Sequence, residues 1–589
     1  MGLFSRVRQR YPSKQVDEPA IPEPPLPKRK RGRPRGVGNH RPRPVAVKQP
    51  NVLNLRKADF PKVSPATWNL LVSLMRSLFL GLLRIVGPLQ PEASGAAIER
   101  TLFREIPTLL HKLIRDLAQW WWSNPDRGYL GTTMTCPCCS KAGNLRYKGD
   151  VAKKIVTLYG TVSPTRSYYY CSDCKKGLAP LDERLGLDQD SFLPTVREVV
   201  TWLTSMDPYG KCLEFITKLL PFSISPRSAW LITQRVAAEV KSRCDEELNK
   251  AFADPANPRL PEPEVPAPKI GVVMMDGTMG RIGPDEKETA QSPAAALRCE
   301  QVAGFGDAVI EPDAKPGFRE IKAGLAGHLI PAKKKPMGKN PRKKKATTEN
   351  DERPTLGLRK YAVHLGPPQL LFQMLLLQVC RLGLHRAKTL LIIADGARWI
   401  WSGVREHFTS LGVELVEILD YWHAVEHLWE LSSALFGQGT PAATAWVSAR
   451  KDQLLTGKQN EFFAALEQAV TKAREAGAVI LQRAGKGLTL LDLTQEKLTY
   501  FRNNESRIRY HEFLAKGYLI GSGAMEGTCK YLIKERVHRS GMRWLPDGCM
   551  SVLRNRALIK SGDWDAFWTE EANRRHNRYL QLKSTLQAA

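Results

Sequence analysis

Two stretches decide the fold: Ile270-Gly271-Val272-Val273-Met274-Met275-Asp276-Gly277 and Leu390-Leu391-Ile392-Ile393-Ala394-Asp395-Gly396. Each is a short apolar run closed by an aspartate and a glycine. A run of this length bounded by turn residues predicts a buried strand, here one that ends in a carboxylate. A third run, Val413 to Leu419, ends in Asp420. Helical patterns over 368–387 and 397–410 separate the runs. Strands alternating with helices predict an α/β sheet, and ligands gather at the carboxyl ends of such strands.

Several carboxylates at one end of a sheet would repel each other, and one would take up a proton. A pair of divalent cations removes the conflict. Mg²⁺ prefers hard oxygen ligands and bridges to phosphate. Two such ions about 3.5–4 Å apart can clamp the attacking and leaving oxygens of a phosphoryl displacement.

The rest of the composition points to a polyanion. The chain has 589 residues and a mass of 66.1 kDa, room for about three to five domains. Its 88 Lys and Arg against 59 Asp and Glu give a formal charge of +29. That surplus favours nucleic acid or an anionic surface. Residues 1–50 carry +10 and residues 331–345 carry +8, which leaves +11 for all other segments. The body itself is therefore basic. The most apolar stretch, Leu70 to Val86, is interrupted by Arg76 and Arg84, so no membrane partner is expected. Met1 to Arg10 is basic, and no apolar run follows from Tyr11, so no secretory leader is expected.

Eleven cysteines in a long chain argue for a reducing compartment. Four fall in two pairs, Cys136-x-x-Cys139 and Cys171-x-x-Cys174, with strand-like residues between them at Ile155 to Tyr159 and Ser167 to Tyr170. Two such knuckles flanking short strands predict a zinc ribbon with a closed, structural Zn²⁺. Reduced thiol pairs without metal are the bland alternative. Cys138 is a spare thiol.

The flanks are simpler. Residues 1–60 are rich in proline and read as a disordered basic arm. Within it, Arg31-Gly32-Arg33-Pro34 looks like an AT-hook, whose arginines suit a narrow A·T minor groove. A plain phosphate-binding run is the alternative. Residues 65–123 read as two helices. Residues 190–252 read as helical, broken at Pro208 and Pro221 to Pro226. Ser225-Pro226 opens a capped helix, compatible with helix-turn-helix binding of DNA.

Further motifs surround the acids. Asp395-Gly396-Ala397-Arg398-Trp399-Ile400-Trp401 is followed by Asp420-Tyr421-Trp422-His423-Ala424-Val425-Glu426-His427-Leu428. Later come Ile520-Gly521-Ser522-Gly523-Ala524-Met525-Glu526-Gly527-Thr528-Cys529-Lys530 and Arg539-Ser540-Gly541-Met542-Arg543-Trp544. These motifs, with Phe318-Arg319-Glu320-Ile321-Lys322, resemble the ISKra-type family of bacterial insertion-sequence transposases, related to Mutator-like RNase H-fold enzymes. The resemblance covers about residues 130–570.

The resemblance implies a DDE triad of Asp276, Asp395 and Glu526 that holds two Mg²⁺ (or Mn²⁺) ions. Asp420-x-x-His423 matches the family's (Cys/Asp)-x-x-His motif. His423 then contacts the scissile phosphate or orients Asp420, unless it is an ordinary core histidine. Trp422 stacks on a displaced base or belongs to the core. Lys530, Arg536 and Arg543 are expected to bind DNA. The implied activity is metal-dependent cleavage of transposon ends and strand transfer into target DNA, by a homodimer or larger assembly. A cytoplasmic, nucleoid-associated bacterial protein is implied.

The expected architecture is α/β: an RNase H-like mixed sheet with an all-α insertion, preceded by a helical region and a zinc ribbon. The boundaries run from the arm at 1–60 through a helical region at 61–129 to the ribbon at 130–185. A second helical region at 186–252 and a linker at 253–268 follow. The catalytic core occupies 269–428, with its basic loop at 331–345. The insertion spans 429–515, the end of the core with the third acid spans 516–570, and a tail closes the chain at 571–589. Two rival functions share these residues. One is an RNase H-fold nuclease or resolvase that cuts without joining. The other is a transposase-derived DNA-binding protein without catalysis.

Overall fold

The computed structural model describes Lys57 and residues 61–88, 94–124, 127–187, 190–254, 257–283, 317–332, 354–477, 480–483, 486–539 and 541–587. The Arg31–Pro34 motif and nearly all of the 331–345 tract lie outside these residues.

Two long helices open the described chain, α1 (Pro65–Val86) and α2 (Gly95–Ser123). Ser94 caps α2 by accepting from the Ala97 amide. α1 is hardly buried, and among the described residues it is the one helix long and apolar enough to cross a membrane. It keeps Arg76 and Arg84 within that span. It approaches α2 where Gly81 lies against Leu109, because a Cβ at Gly81 would come within 2.4 Å of that side chain.

Six strands follow: β1 (Thr133–Met134), β2 (Leu145–Ala152), β3 (Ile155–Thr157), β4 (Gly160–Val162), β5 (Thr165–Cys171) and β6 (Lys176–Leu178). β1, β2, β5 and β6 form an antiparallel sheet in that order, and β3 pairs with β4. α3 (Pro180–Leu185), α4 (Pro194–Met206), α5 (Tyr209–Leu219) and α6 (Pro226–Ala251) come next. Proline at the first turn and a Ser225 cap set the start of α6.

The central sheet has five strands in the order β11-β10-β7-β8-β9. They are β7 (Ile270–Arg281), β8 (Phe318–Ile330), β9 (Thr355–Leu365), β10 (Thr389–Ala394) and β11 (Glu414–Leu419). β7, β8 and β9 form an antiparallel meander, whereas β10 and β11 run parallel to β7. α7 (Pro368–Arg381) and α8 (Arg398–His407) supply the crossovers. Every residue of β10 is buried. A parallel strand covered on both faces reads as a continuous apolar run for this reason.

Side chains alternate across the sheet. Val273, Met275, Leu390 and Ile392 pack with α7 and α8. Val272, Met274, Leu391 and Ile393 face the other side. That second face is covered by α9 (Tyr421–Phe436), α10 (Pro441–Leu455), α11 (Gln459–Glu475), α12 (Leu490–Asn503), α13 (Tyr510–Ala515), α14 (Gly523–Thr528), α15 (Glu535–Val537) and α16 (Pro546–Lys560). Residues 529–534, between α14 and α15, are π-helical. α17 (Trp564–Gln587) ends the chain.

Three expectations need correction. β7 does not end at Asp276 but continues to Arg281, because β8 keeps pairing with it past the point where β10 stops. The insertion is not all helical: β12 (Ile480–Arg483) and β13 (Lys486–Thr489) form an antiparallel hairpin between α11 and α12. The stretch from 571 is not a tail. It belongs to α17, whose Leu586 packs against Cys136 and Cys171 and whose Glu571 pairs with buried Arg243. An amphipathic terminal helix with so many charges reads as solvated until its partners are known.

Candidate functional site: two carboxylates at the end of the central sheet

The carboxylate site begins with strand register. Met275 on β7 pairs with Ala394 on β10, and Ala394 pairs with Leu419 on β11. The next residue on each strand is an aspartate: Asp276, Asp395 and Asp420. By alternation, Asp276 points to the face covered by the helices of the second half of the chain. Its Oδ1 accepts from the Gly277 amide at 2.7 Å. The Cys529 thiol lies 3.5 Å from its Oδ2. Asp395 Oδ1 accepts from the Ala397 amide at 3.0 Å in the turn before α8. Asp420 caps α9, accepting from the Trp422 amide at 2.8 Å, and its other oxygen accepts from the Ser522 hydroxyl.

Burial, and then the charge of Asp395, hold the Asp276 carboxyl above its ordinary 3.8. Asp395 is also raised. Burial is the main cause, Glu320 and Asp420 add to it, and the Ala397 amide and His423 oppose it. Two neighbouring carboxylates that resist ionisation together suit a divalent cation, which would stabilise both charged forms.

Glu526 is brought near by the link between Asp420 and Ser522. The Tyr421 amide donates to the Ile520 carbonyl, and the Glu526 amide donates to Ser522 at the start of α14. α14 packs on β7 and β8, so its successor Cys529 reaches Asp276. Glu526 is exposed, and its charge adds to the burial and Asp276 effects that push the Cys529 thiol up. Asp276, Asp395 and Glu526 do not meet at one point. Among the described residues, the four cysteines are the one group of three or more His, Cys, Asp or Glu whose ligand atoms all lie within 4.8 Å of each other.

His423 lies beside Asp395, with Nδ1 3.4 Å from Glu426 and its ring 4.9 Å from that of His427. Trp422 is 59% exposed, lies against Gly521 and has the Lys451 ammonium 5.8 Å above its ring. It is on the rim, not in the core. Lys530 and Arg543 are exposed. Arg536 is not available to DNA. It is 1% exposed, donates to the Thr204 carbonyl at 3.2 Å and lies 4.8 Å over the Trp544 ring. Its guanidinium is used inside the protein, joining α15 to α4.

Several groups were not read as site residues, although Glu320 belongs to the motif at 318–322. Glu320 lies over Gly277, where a Cβ would come within 1.9 Å of its Oε1, and pairs with Lys322 at 2.6 Å. Buried Lys497 on α12 donates to His427 Nδ1 at 2.9 Å and pairs with Glu430 at 2.6 Å. Tyr500, one turn further, packs on the Gly396 backbone. A tyrosine or lysine in an amphipathic helix carries no sequence signal of such a position.

The second centre is the cysteine cluster. Cys136 and Cys139 follow β1, Cys171 closes β5 and Cys174 sits in the turn to β6. Ser140 and Lys175, one residue after each knuckle, take left-handed φ of 56° and 53°. This bends both knuckles back on themselves. Cys136 and Cys174 sulfurs are 3.9 Å apart, and those of Cys139 and Cys171 are 3.8 Å apart. A tetrahedron of thiolates at about 2.3 Å from zinc has edges of about 3.8 Å. The cluster could therefore hold a metal such as zinc. Burial opposes ionisation of Cys136, but the amides of Cys139 and Cys138 and neighbouring thiols bring it down to about 7.

Comparison with protein-family models finds none that matches this chain, and no curated protein matches it in sequence.

Proposed function

We propose that this protein is a DNA transposase of the ISKra type, with an RNase H-like catalytic core and a zinc ribbon, that cleaves element ends and joins them to target DNA. The observation that carries the reading is the pairing of Met275 with Ala394, which sets Asp276 and Asp395 side by side beside a helix bearing Glu526. The sheet order, with three antiparallel strands followed by two parallel ones, supports an RNase H-like core. The gathering of the four sulfurs within 4.8 Å of one another supports the ribbon.

In this reading Asp276, Asp395 and Glu526 hold two Mg²⁺ or Mn²⁺ ions. Bound cations supply the positive charge that activates the attacking oxygen and offsets charge on the phosphate. The chain does the rest. Burial and neighbouring charge keep Asp276 and Asp395 reluctant to ionise until that charge arrives. His423 contacts the scissile phosphate or orients Asp420. Exposed Trp422 can stack on an unpaired base. Lys530 and Arg543 neutralise backbone phosphates, and the basic arm, including Arg31 to Pro34, adds salt-dependent attraction. Joining two ends requires at least a dimer on DNA, and a cytoplasmic, nucleoid-associated location follows.

The test is a strand-transfer assay with duplexes from the DNA flanking the gene, Mg²⁺ and a plasmid target. Joined product is expected. Cutting without joining would favour a nuclease or resolvase. Binding without cutting would favour a non-catalytic DNA-binding protein.

A further inference from the structure

Tyr500 is the group that the carboxylate site leaves unexplained. It comes from α12, about a hundred residues after Asp395 in sequence, and its ring lies against the backbone of Gly396. A Cβ at that glycine would come within 2.2 Å of the ring edge and 2.7 Å of the hydroxyl. The absence of a side chain at 396 is what admits the ring. The ring is held from the other side by His427, with centroids 4.2 Å apart, and by Phe501 at 5.3 Å. The Tyr500 hydroxyl is shielded from solvent and has no hydrogen-bond partner among the described residues. Asp395 and Asp420 are close enough to act on it.

Buried hydroxyls are nearly always hydrogen-bonded, and each exception calls for a reason. A phenylalanine would fill the same space with no unmet group. A phenol is protonated at neutral pH, so it can donate one hydrogen bond. The carboxylates nearby have other partners: Asp395 accepts from Ala397, and Asp420 accepts from Trp422 and Ser522. An incoming anion beside Asp395 would meet this donor already in place and already desolvated.

We propose that Tyr500 is a substrate-contacting residue of this site, its hydroxyl donating to a non-bridging oxygen of the DNA phosphodiester that binds beside Asp395. The proposal rests on the phosphodiester reading above and adds a role for the helical insertion. α12 completes the phosphate site, with Lys497 and His427 fixing the ring one turn below.

Tyr500→Phe removes one oxygen atom and tests this directly. Two readouts are needed, thermal melting of the unliganded full chain and single-turnover cleavage of an end duplex with Mg²⁺. An orphan hydroxyl predicts a melting temperature that is unchanged or higher in the variant. A phosphate donor predicts a cleavage rate lower by about 100-fold at saturating DNA. A lower melting temperature would show that the hydroxyl has a partner within the protein, and that overturns the proposal. Unchanged cleavage at saturating DNA, with the wild-type chain active, overturns it too while leaving the phosphodiester reading intact. A wild-type chain that cuts no DNA sinks that reading and this role together, whereas the melting comparison alone bears on the orphan hydroxyl.

Discussion

Met275 and Ala394 lie opposite each other on parallel neighbouring strands, and this register brings two aspartates together at the following residue. Asp276, still within β7, and Asp395, just past the end of β10, come side by side, each too buried to ionise as an exposed carboxylate would. The unliganded fold thus carries a local conflict that a cation or a proton relieves.

Asp395→Asn should therefore separate stability from activity. Both folded carboxyls sit above 3.8. Their contribution to stability is full below about pH 3.8, the ordinary aspartate value, and is lost as pH rises through the raised folded values. Relative to wild type, the variant should melt at a higher temperature near neutrality, and the difference should vanish in strong acid. Mg²⁺ should raise the wild-type melting temperature at neutral pH more than that of the variant. DNA cutting should be abolished with binding retained. A melting difference independent of pH would count against the paired-carboxylate assignment.

Replacing Cys171 by Ser removes one buried sulfur from the cysteine cluster. The purified wild-type chain is expected to carry about one zinc per molecule in this site. The variant should lose metal affinity by more than the roughly 10–100-fold that loss of an outer-shell partner costs. α17 packs its Leu586 on Cys136 and Cys171, so hydrogen exchange near residue 586 should rise along with that of β5. Protection unchanged at the C terminus would show that α17 is held without the cluster.

Arg536 and Arg543 are seven residues apart and should behave oppositely. Arg536→Ala should cost about 2–3 kcal/mol of stability through a lost charge-assisted hydrogen bond and lost packing. Arg543→Ala should change stability by no more than about 0.5 kcal/mol. On DNA, Arg543→Ala should reduce the slope of log affinity against log salt by about 0.9, the share of one phosphate contact. Urea melts and salt-titrated binding measure the two effects. An unchanged salt slope would remove Arg543 from the DNA surface.

Lys497→Met tests the link between the insertion and the site. Burial first, then the Lys497 ammonium and His423, bring the His427 imidazole down to about 4. A depressed histidine contributes stability that is present above its ordinary value of about 6.5 and is lost as pH falls through the folded one. Removing the ammonium should move the His427 titration upward in NMR. It should also cost about 1–3 kcal/mol, because Glu430 loses its 2.6 Å partner but is exposed enough to be rehydrated. A His427 titration that does not move would mean that burial alone sets it.

The mixed α/β character and the cysteine cluster were legible for the same reason: both rest on short-range pattern. An apolar run closed by Asp-Gly and a pair of cysteines two residues apart express local geometry, which needs no knowledge of what lies across the fold. The helix start at Pro226 was also local, set by proline at the first turn and by the Ser225 cap. Where the reading stopped short, a partner distant in sequence decided the outcome. β7 outruns its apolar run because β8 continues to pair with it. Arg536, which looks like a phosphate contact in a basic stretch, is claimed by Thr204 and Trp544.

The sequence by itself determined the chemical groups and the local turns that carry them: the strand-end acids, the two knuckles and the glycines that leave room. Only the tertiary structure decided which groups meet. Register placed Asp276 beside Asp395, the Asp420–Ser522 hydrogen bond anchored the start of α14, and the close approach at Gly396 brought Tyr500 in from the insertion. The physical reason is range. Propensity and periodicity act over a few residues, whereas strand pairing, burial and charge act between atoms that the fold alone makes neighbours.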